Sequence, residues 1–85
     1  MVERELTLGL HDGLNRNAGA FIKIANNYSC QLLIEFGNKK VNAKSLLGVL
    51  SLMIEEGDVF SIIASGDDAA EAVDALEKLI TNVCE

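Results

Sequence analysis

Few residues of this sequence carry side chains suited to covalent chemistry. His11 is the only histidine, and imidazole is the side chain that acts most readily as a nucleophile or proton carrier near neutral pH. Cys30 and Cys84 have neither metal-ligand nor redox spacing, so we expect two free thiols. No nucleophile–base pair, metal-ligand cluster or phosphate-binding loop accompanies these residues. The sequence therefore predicts neither an independent enzyme nor a metal site, and no cofactor is expected.

The hydroxyl of Ser45 is the second candidate for chemistry. Ser45 precedes an apolar run that extends to about Met53, and a serine in that position is typical of a helix N-cap. Taken alone, the pattern predicts a structural role for this hydroxyl.

Hydrophobic periodicity predicts the elements that must position these side chains. Apolar residues alternate with polar ones over residues 2–10, which favours a half-buried strand that ends at the turn signal Asp12-Gly13. Helical spacing over residues 18–28 predicts a helix, with Asn15 or Asn17 available to cap it. Further elements are predicted as strands over residues 30–36 and 39–43 joined at Gly37-Asn38, a helix over 46–53, a strand over 58–65 and a helix from Ala69 to Val83.

The element order βαββαβα predicts a two-layer α+β fold. The 85 residues suffice for one domain, which we expect to cover residues 1–85. Hydrophobic residues make up 49% and charged residues 24% of the sequence, a balance typical of globular domains. No apolar run approaches the roughly 20 residues that span a bilayer, and the charged first residues do not form a signal peptide. We expect a cytoplasmic protein without a membrane partner.

The net charge of −6 makes nucleic acid an unlikely direct partner. The charge is nevertheless uneven, since residues 15–46 have five basic side chains against Glu35, and residues 55–85 have nine acidic ones against Lys78. Two interpretations are open: solvated faces, or a positive surface for an acidic partner protein. The basic side chains concerned are Arg16, Lys23, Lys39, Lys40 and Lys44.

Several segments resemble the HPr family, the phosphocarrier proteins of the bacterial sugar phosphotransferase system. Residues 41–52, Val-Asn-Ala-Lys-Ser-Leu-Leu-Gly-Val-Leu-Ser-Leu, are the most specific part. Asp12-Gly13-Leu14, Tyr28 and residues 64–72 also fit. The resemblance implies an open-faced β-sandwich, in which three helices cover one face of a four-stranded antiparallel sheet.

The sequence departs from the family at the active centre. The family pattern is Gly-(Ile/Leu)-His-Ala-Arg-Pro-Ala, whereas residues 13–18 read Gly-Leu-Asn-Arg-Asn-Ala. One residue and the proline are missing, and Asn15 stands at the histidine position. If the gap is placed elsewhere, Leu14 or Arg16 takes that position, and neither is a histidine. A carboxamide nitrogen is not a useful nucleophile, and helix capping is sufficient to explain an asparagine there. Arg16 matches the family's active-centre arginine, with partner docking and solubility as its alternative roles.

The resemblance gives Ser45 a second interpretation, because it matches the regulatory serine that HPr kinase/phosphorylase modifies in many bacteria. A phosphoserine there would meet free N–H groups and a favourable helix dipole. Lys44, with Lys39 and Lys40 nearby, would add positive charge. The apolar edge by which the family docks partners would comprise Leu46, Leu47, Val49 and Leu50, unless these residues belong to the core.

Three hypotheses follow. The first is a histidine-lacking, Crh-like regulatory protein that is phosphorylated on Ser45 and acts as corepressor with a catabolite-control transcription regulator. The second is a phosphocarrier that uses His11, with Enzyme I or other phosphotransferase-system proteins as partners. The third is an interaction module that has lost both phosphorylations.

Overall fold

The structure, a computed structural model, describes residues 1–81, so Cys84 and Val83 lie outside the described part. The predicted order of strands and helices is present, with the first helix divided in two. The elements are β1 (Val2–Thr7), α1 (Gly13–Arg16), α2 (Ala18–Ala25), β2 (Gln31–Phe36), β3 (Lys39–Asn42), α3 (Leu46–Leu52), β4 (Val59–Ser65) and α4 (Ala69–Ile80).

The four strands form one antiparallel sheet in the order β1-β4-β2-β3. The two central strands pair Ile34 with Ile62 and Leu33 with Ile63. Because neighbouring side chains on a strand point to opposite faces, these two pairs lie on opposite sides of the sheet. Ile34 and Ile62 are completely buried beneath the helices, whereas Leu33 and Ile63 are only half-buried. The sheet therefore has a helix-covered face and an open face, as the α+β prediction requires.

Helix α4 covers the sheet with the apolar stripe that the sequence predicts. Four of its side chains, Ala72, Val73, Leu76 and Ile80, have no exposed surface. On its other side, α4 is tied to the edge strand β1, since the guanidinium of Arg4 lies 2.7 Å from carboxylate oxygens of both Asp74 and Glu77. Such part-exposed ion pairs contribute little each, so the apolar stripe provides most of the attachment.

Helix α2 is shorter than residues 18–28, because it ends at Ala25. The Nδ2 of Asn26 donates to the carbonyl oxygen of Ile22 at 3.0 Å, and asparagine side chains that compete for backbone groups in this way favour helix ends. Tyr28 follows the helix and packs, half-buried, against the core.

The first strand is also shorter than predicted, because β1 ends at Thr7. Leu8 and Leu10 are nevertheless buried. Leu8 still donates to Asp58 at 2.9 Å, but the next backbone N–H, that of Gly9, donates to Ile80 of α4 at 2.8 Å, which explains the ending. Residues 8–10 thus leave the sheet and pack beneath the end of α4. They lead into the loop that contains Asn15.

Candidate functional site

Residues 13–16 form a short helical turn of their own, and this changes the role of both candidate capping residues. Asn15 lies inside α1, where its Nδ2 donates to the carbonyl oxygen of Leu50 at 3.3 Å. Asn17 separates α1 from α2, and its Nδ2 donates to the carbonyl oxygen of Gly13 at 2.8 Å. Asn17 occupies the N-cap position of α2, as one of the two predicted alternatives, but neither its side chain nor that of Asn15 makes a capping hydrogen bond. Both amides bind carbonyl oxygens, because the extra turn places them beside C=O groups.

The environment of Asn15 is acidic. Asn15 lines a surface cavity of about 120 Å³ whose other walls include Asp12 and Glu55. A neighbouring cavity is lined by His11, Asp12, Gly13, Glu55 and Glu56. Because carboxylates repel a phosphoryl group, this loop offers an unfavourable environment for the anion that a phosphocarrier must hold.

His11 does not enter the pocket of Asn15. Its imidazole is 91% exposed, and its Nδ1 lies 3.1 Å from a carboxylate oxygen of Glu56. Since the side chain has few contacts besides Glu56, an exposed turn position without chemistry is sufficient to explain it.

Ser45 caps α3, as the sequence predicts. Its backbone is extended at φ −100° and ψ 118°, and its Oγ accepts a hydrogen bond from the backbone N–H of Gly48 at 3.2 Å. The residue is partly exposed. The hydroxyl therefore lies in a folded helix cap at the protein surface.

The apolar residues of α3 divide between surface and core. Leu47 is 80% exposed and Leu46 is 48% exposed. Val49 has no exposed surface, so its assignment to a docking edge is wrong. Leu50 is half-buried and packs against the core. The helical repeat explains the division, since Val49 and Leu52 lie on the face of α3 that turns toward the sheet.

The basic residues of the middle segment do not form one surface. Lys39 lies on the covered side, and its Nζ donates to the carbonyl oxygen of Ser51 at 3.4 Å. Lys40, the next residue, pairs across the strands with Glu35 on the open face. Strand alternation separates the two lysines, so of the two open interpretations, a positive surface that includes Lys40 is wrong.

The remaining basic residues lie on the helical side of the molecule. Lys44 donates from Nζ to the carbonyl oxygen of Tyr28 at 2.6 Å, which holds its ammonium group at the segment that follows α2. Arg16 at the end of α1 and Lys23 on α2 are both exposed. Of the basic residues of the middle segment, these three and Lys39 are thus the ones on the side of the helices.

Comparison with known proteins identifies the architecture that carries this site. Residues 2–82 match the family described as the PTS HPr component phosphorylation site. This chain belongs to the HPr family. It is 42% identical over 77 residues to the HPr-like protein Crh of Halalkalibacterium halodurans, across 89% of this chain and 92% of that relative.

Solved structures of HPr proteins agree with the fold of this family member. The phosphocarrier protein HPr of Bacillus anthracis superposes with a TM-score of 0.90 at 38% identity, over 93% of this chain and 95% of that one. The catabolite-repression protein Crh of Bacillus subtilis superposes with a TM-score of 0.74 at 35% identity, over 96% and 91% of the two chains. The open-faced sandwich that the resemblance implied is thereby confirmed.

One residue that organises this HPr fold escapes the periodicity of the sequence. Asp68, the residue before α4, accepts hydrogen bonds from the backbone N–H groups of Ser29 at 2.9 Å and Cys30 at 3.0 Å. It therefore fastens the beginning of β2 to the beginning of α4. The bond from the Ser29 backbone is the main reason why the pKa of Asp68 lies below its ordinary value. No local pattern signals the contact, because its partners are 38 and 39 residues away along the chain.

The lowered pKa of Asp68 predicts a specific loss of stability in acid. A carboxyl group whose pKa is lower in the folded state stabilises the fold fully above its unfolded pKa of about 4, and this stabilisation is lost as pH falls through the folded-state value. We expect the urea midpoint of Asp68→Asn to lie below that of the wild type at pH 7 and to decline less on acidification. Asp67→Asn changes the exposed neighbouring acid and serves as the matched control. Identical pH profiles for the two variants would contradict the assignment.

The other chemical candidates give no further site within residues 1–81. Cys30 is buried, and desolvation raises the pKa of its thiol, with the Asp68 carboxylate acting in the same direction. In this described range, no group of three or more histidine, cysteine or acidic residues could hold a metal ion. None of the helices among the same residues has the length and apolar character of a membrane span.

Proposed function

We propose that this HPr family member is a regulatory protein of the phosphotransferase system that receives phosphate on Ser45 and does not carry phosphohistidine. The observation that carries the proposal is the contrast between two loops. The loop at the family's histidine position has an amide and several carboxylates, whereas the loop before α3 keeps a surface hydroxyl.

The first part of this contrast concerns transfer chemistry. A phosphocarrier needs a nucleophile whose phosphoryl adduct is labile. The nitrogen of Asn15 is delocalised into its carbonyl group, and it already donates to Leu50. Asp12 and Glu55 line the same cavity and would repel an incoming phosphoryl group.

The second part concerns Ser45. In the proposed reaction, HPr kinase/phosphorylase transfers the γ-phosphoryl group of ATP to Oγ. The bond between the γ-phosphorus and its bridging oxygen breaks, ADP leaves, and the hydroxyl proton passes to a base of the kinase. The phosphoserine, which carries nearly two negative charges, would lie at the positive end of α3, directly after Lys44 in the chain.

Phosphorylation of Ser45 would change a surface that a partner protein can contact. Leu46 and Leu47 directly follow Ser45 and are exposed. A new dianion beside apolar side chains favours a partner that combines an apolar pocket with basic residues. We infer that this partner is a catabolite-control transcription regulator, and the similarity to Crh proteins supports this role.

The proposal predicts one phosphate per chain after incubation with HPr kinase/phosphorylase and ATP. Intact-mass and peptide mass spectrometry should locate it on Ser45, and Ser45→Ala should reduce incorporation to background. Ser51→Ala is the matched control, since Ser51 is an exposed serine of the same helix whose Oγ bonds to a carbonyl oxygen. Incorporation that survives in Ser45→Ala, or a wild type that stays unmodified, would contradict the proposal.

A further inference from the structure

Met53 has an unusual backbone for its residue type. It follows the last residue of α3 with φ 53° and ψ 47°, and it is the one non-glycine residue with positive φ among residues 1–81. A helix often ends in this left-handed conformation, but the residue there is usually glycine, since a β-carbon adds steric strain. A strained residue that the fold maintains is a reason to look for a function.

Packing of the Met53 side chain does not compensate for this strain, because the side chain is 65% exposed. It joins Leu46 and Leu47 as the third large exposed apolar side chain at α3 or its ends. Methionine is a flexible, polarisable side chain that adapts to protein-binding pockets. The placement thus favours contact with another protein over internal stability.

The position of Ser45 restricts which protein this is. Since the Ser45 hydroxyl lies in a hydrogen-bonded helix cap, an enzyme that modifies it in the native protein must recognise the surrounding folded surface. Helix α3 has seven residues and thus spans about 10 Å. Both of its ends therefore fit within one interface of ordinary size, about 800 Å² per partner.

The charges around Met53 indicate the chemistry of the opposing surface. Asp12 and Glu55 line the cavity that Met53 shares with Asn15. Complementarity therefore calls for an apolar pocket rimmed by basic side chains on the partner.

We propose that Met53 is a docking residue for the kinase that phosphorylates Ser45, inserted into such a pocket; this inference rests on the proposed function. In this arrangement the exposed methionine determines how tightly the kinase binds and has no part in the transfer step.

Steady-state phosphorylation of Met53→Gly by HPr kinase/phosphorylase tests the inference. Glycine removes the side chain and accepts the left-handed backbone, so the melting temperature should stay equal or rise. We expect KM to increase about tenfold, as for loss of an interface anchor, with kcat within about twofold of the wild type. Val59→Thr is the matched control, because Val59 is 48% exposed on the opposite, open face.

The possible outcomes separate the two proposals. A wild-type chain without phosphate on Ser45 overturns both. Normal phosphorylation of the wild type with an unchanged KM for Met53→Gly overturns only the docking role of Met53. An equal KM increase in Val59→Thr also overturns the docking role of Met53. The same holds if Met53→Gly weakens only the binding of the phosphorylated protein to the transcription regulator.

Discussion

Incubation with Enzyme I and phosphoenolpyruvate is expected to leave this chain without an acid-labile phosphate. Asn15 offers no nucleophile, and His11 lies 3.1 Å from Glu56, so a phosphoryl group on that imidazole would face a carboxylate. Two like charges about 4 Å apart repel by about 4 kcal/mol at an effective dielectric constant of about 20. Solvent exposure of 91% for His11 weakens this repulsion. Since Asn15 has no nucleophile and His11 lies outside the pocket of Asn15, we expect phosphorylation to be slower by about a hundredfold or more than in a functional carrier.

The HPr of Bacillus anthracis provides the positive control for this measurement. The variant His11→Ala tests the hypothesis that the chain is a phosphocarrier that uses His11. An acid-labile phosphate on the wild type that disappears in His11→Ala would establish His11 as an unorthodox carrier and refute our assignment. Asn15→His supplies an imidazole without changing Asp12 or Glu55, and we expect it to remain far below the positive control. Full activity in Asn15→His would show that the acidic loop does not hinder transfer.

Alanine at Gly66 should produce the largest loss of stability from a single methyl group. Gly66 has φ +140°, and an added Cβ would lie 2.9 Å from both Cα and Cβ of Cys30. The backbone conformation costs a non-glycine residue about 1–3 kcal/mol, and the steric overlap costs about 1–3 kcal/mol more. We thus expect Gly66→Ala to lower the free energy of unfolding by roughly 2–6 kcal/mol, a large part of the 5–15 kcal/mol typical of a domain.

Gly37→Ala is the appropriate comparison for urea denaturation. Gly37 also has a positive φ, +62°, but no atom lies within 4 Å of the position its Cβ would occupy. Its variant should lose only about 1–2 kcal/mol, the cost of a left-handed residue. Equal losses of unfolding free energy in Gly66→Ala and Gly37→Ala would show that the backbone at Cys30 moves to accommodate the added methyl group.

Much of the fold follows from local patterns. The stripe of α4 is visible in its sequence because 3.6-residue spacing places Ala72, Val73, Leu76 and Ile80 on one buried face. The strand predicted over residues 58–65 is likewise present as β4, which buries Phe60, Ile62 and Ala64. Element ends are less predictable, as α2 and β1 show, because side-chain and backbone bonds at their ends decide where they stop.

Local sequence patterns predict less of the candidate site than of the fold. Residue identity alone establishes that Asn15 cannot serve as the phosphohistidine, and the position of Ser45 before an apolar run predicts the observed cap. Periodicity could not decide that Val49 is buried while Leu47 is exposed, since the orientation of α3 depends on the sheet it packs against. It also missed the left-handed backbone of Met53, because no glycine marks that helix end.

The sequence by itself determined that residues 13–18 contain no histidine and that a serine precedes α3, and it determined the order of the elements, because these depend on residue type and local spacing. Only the tertiary structure decided which of Lys39 and Lys40 lies on the helix-covered side, that His11 pairs with Glu56, and that Asp68 fastens β2 to α4. These properties depend on strand orientation and on contacts between segments distant in the chain. Such contacts arise only when the apolar faces of helices and sheet are buried together.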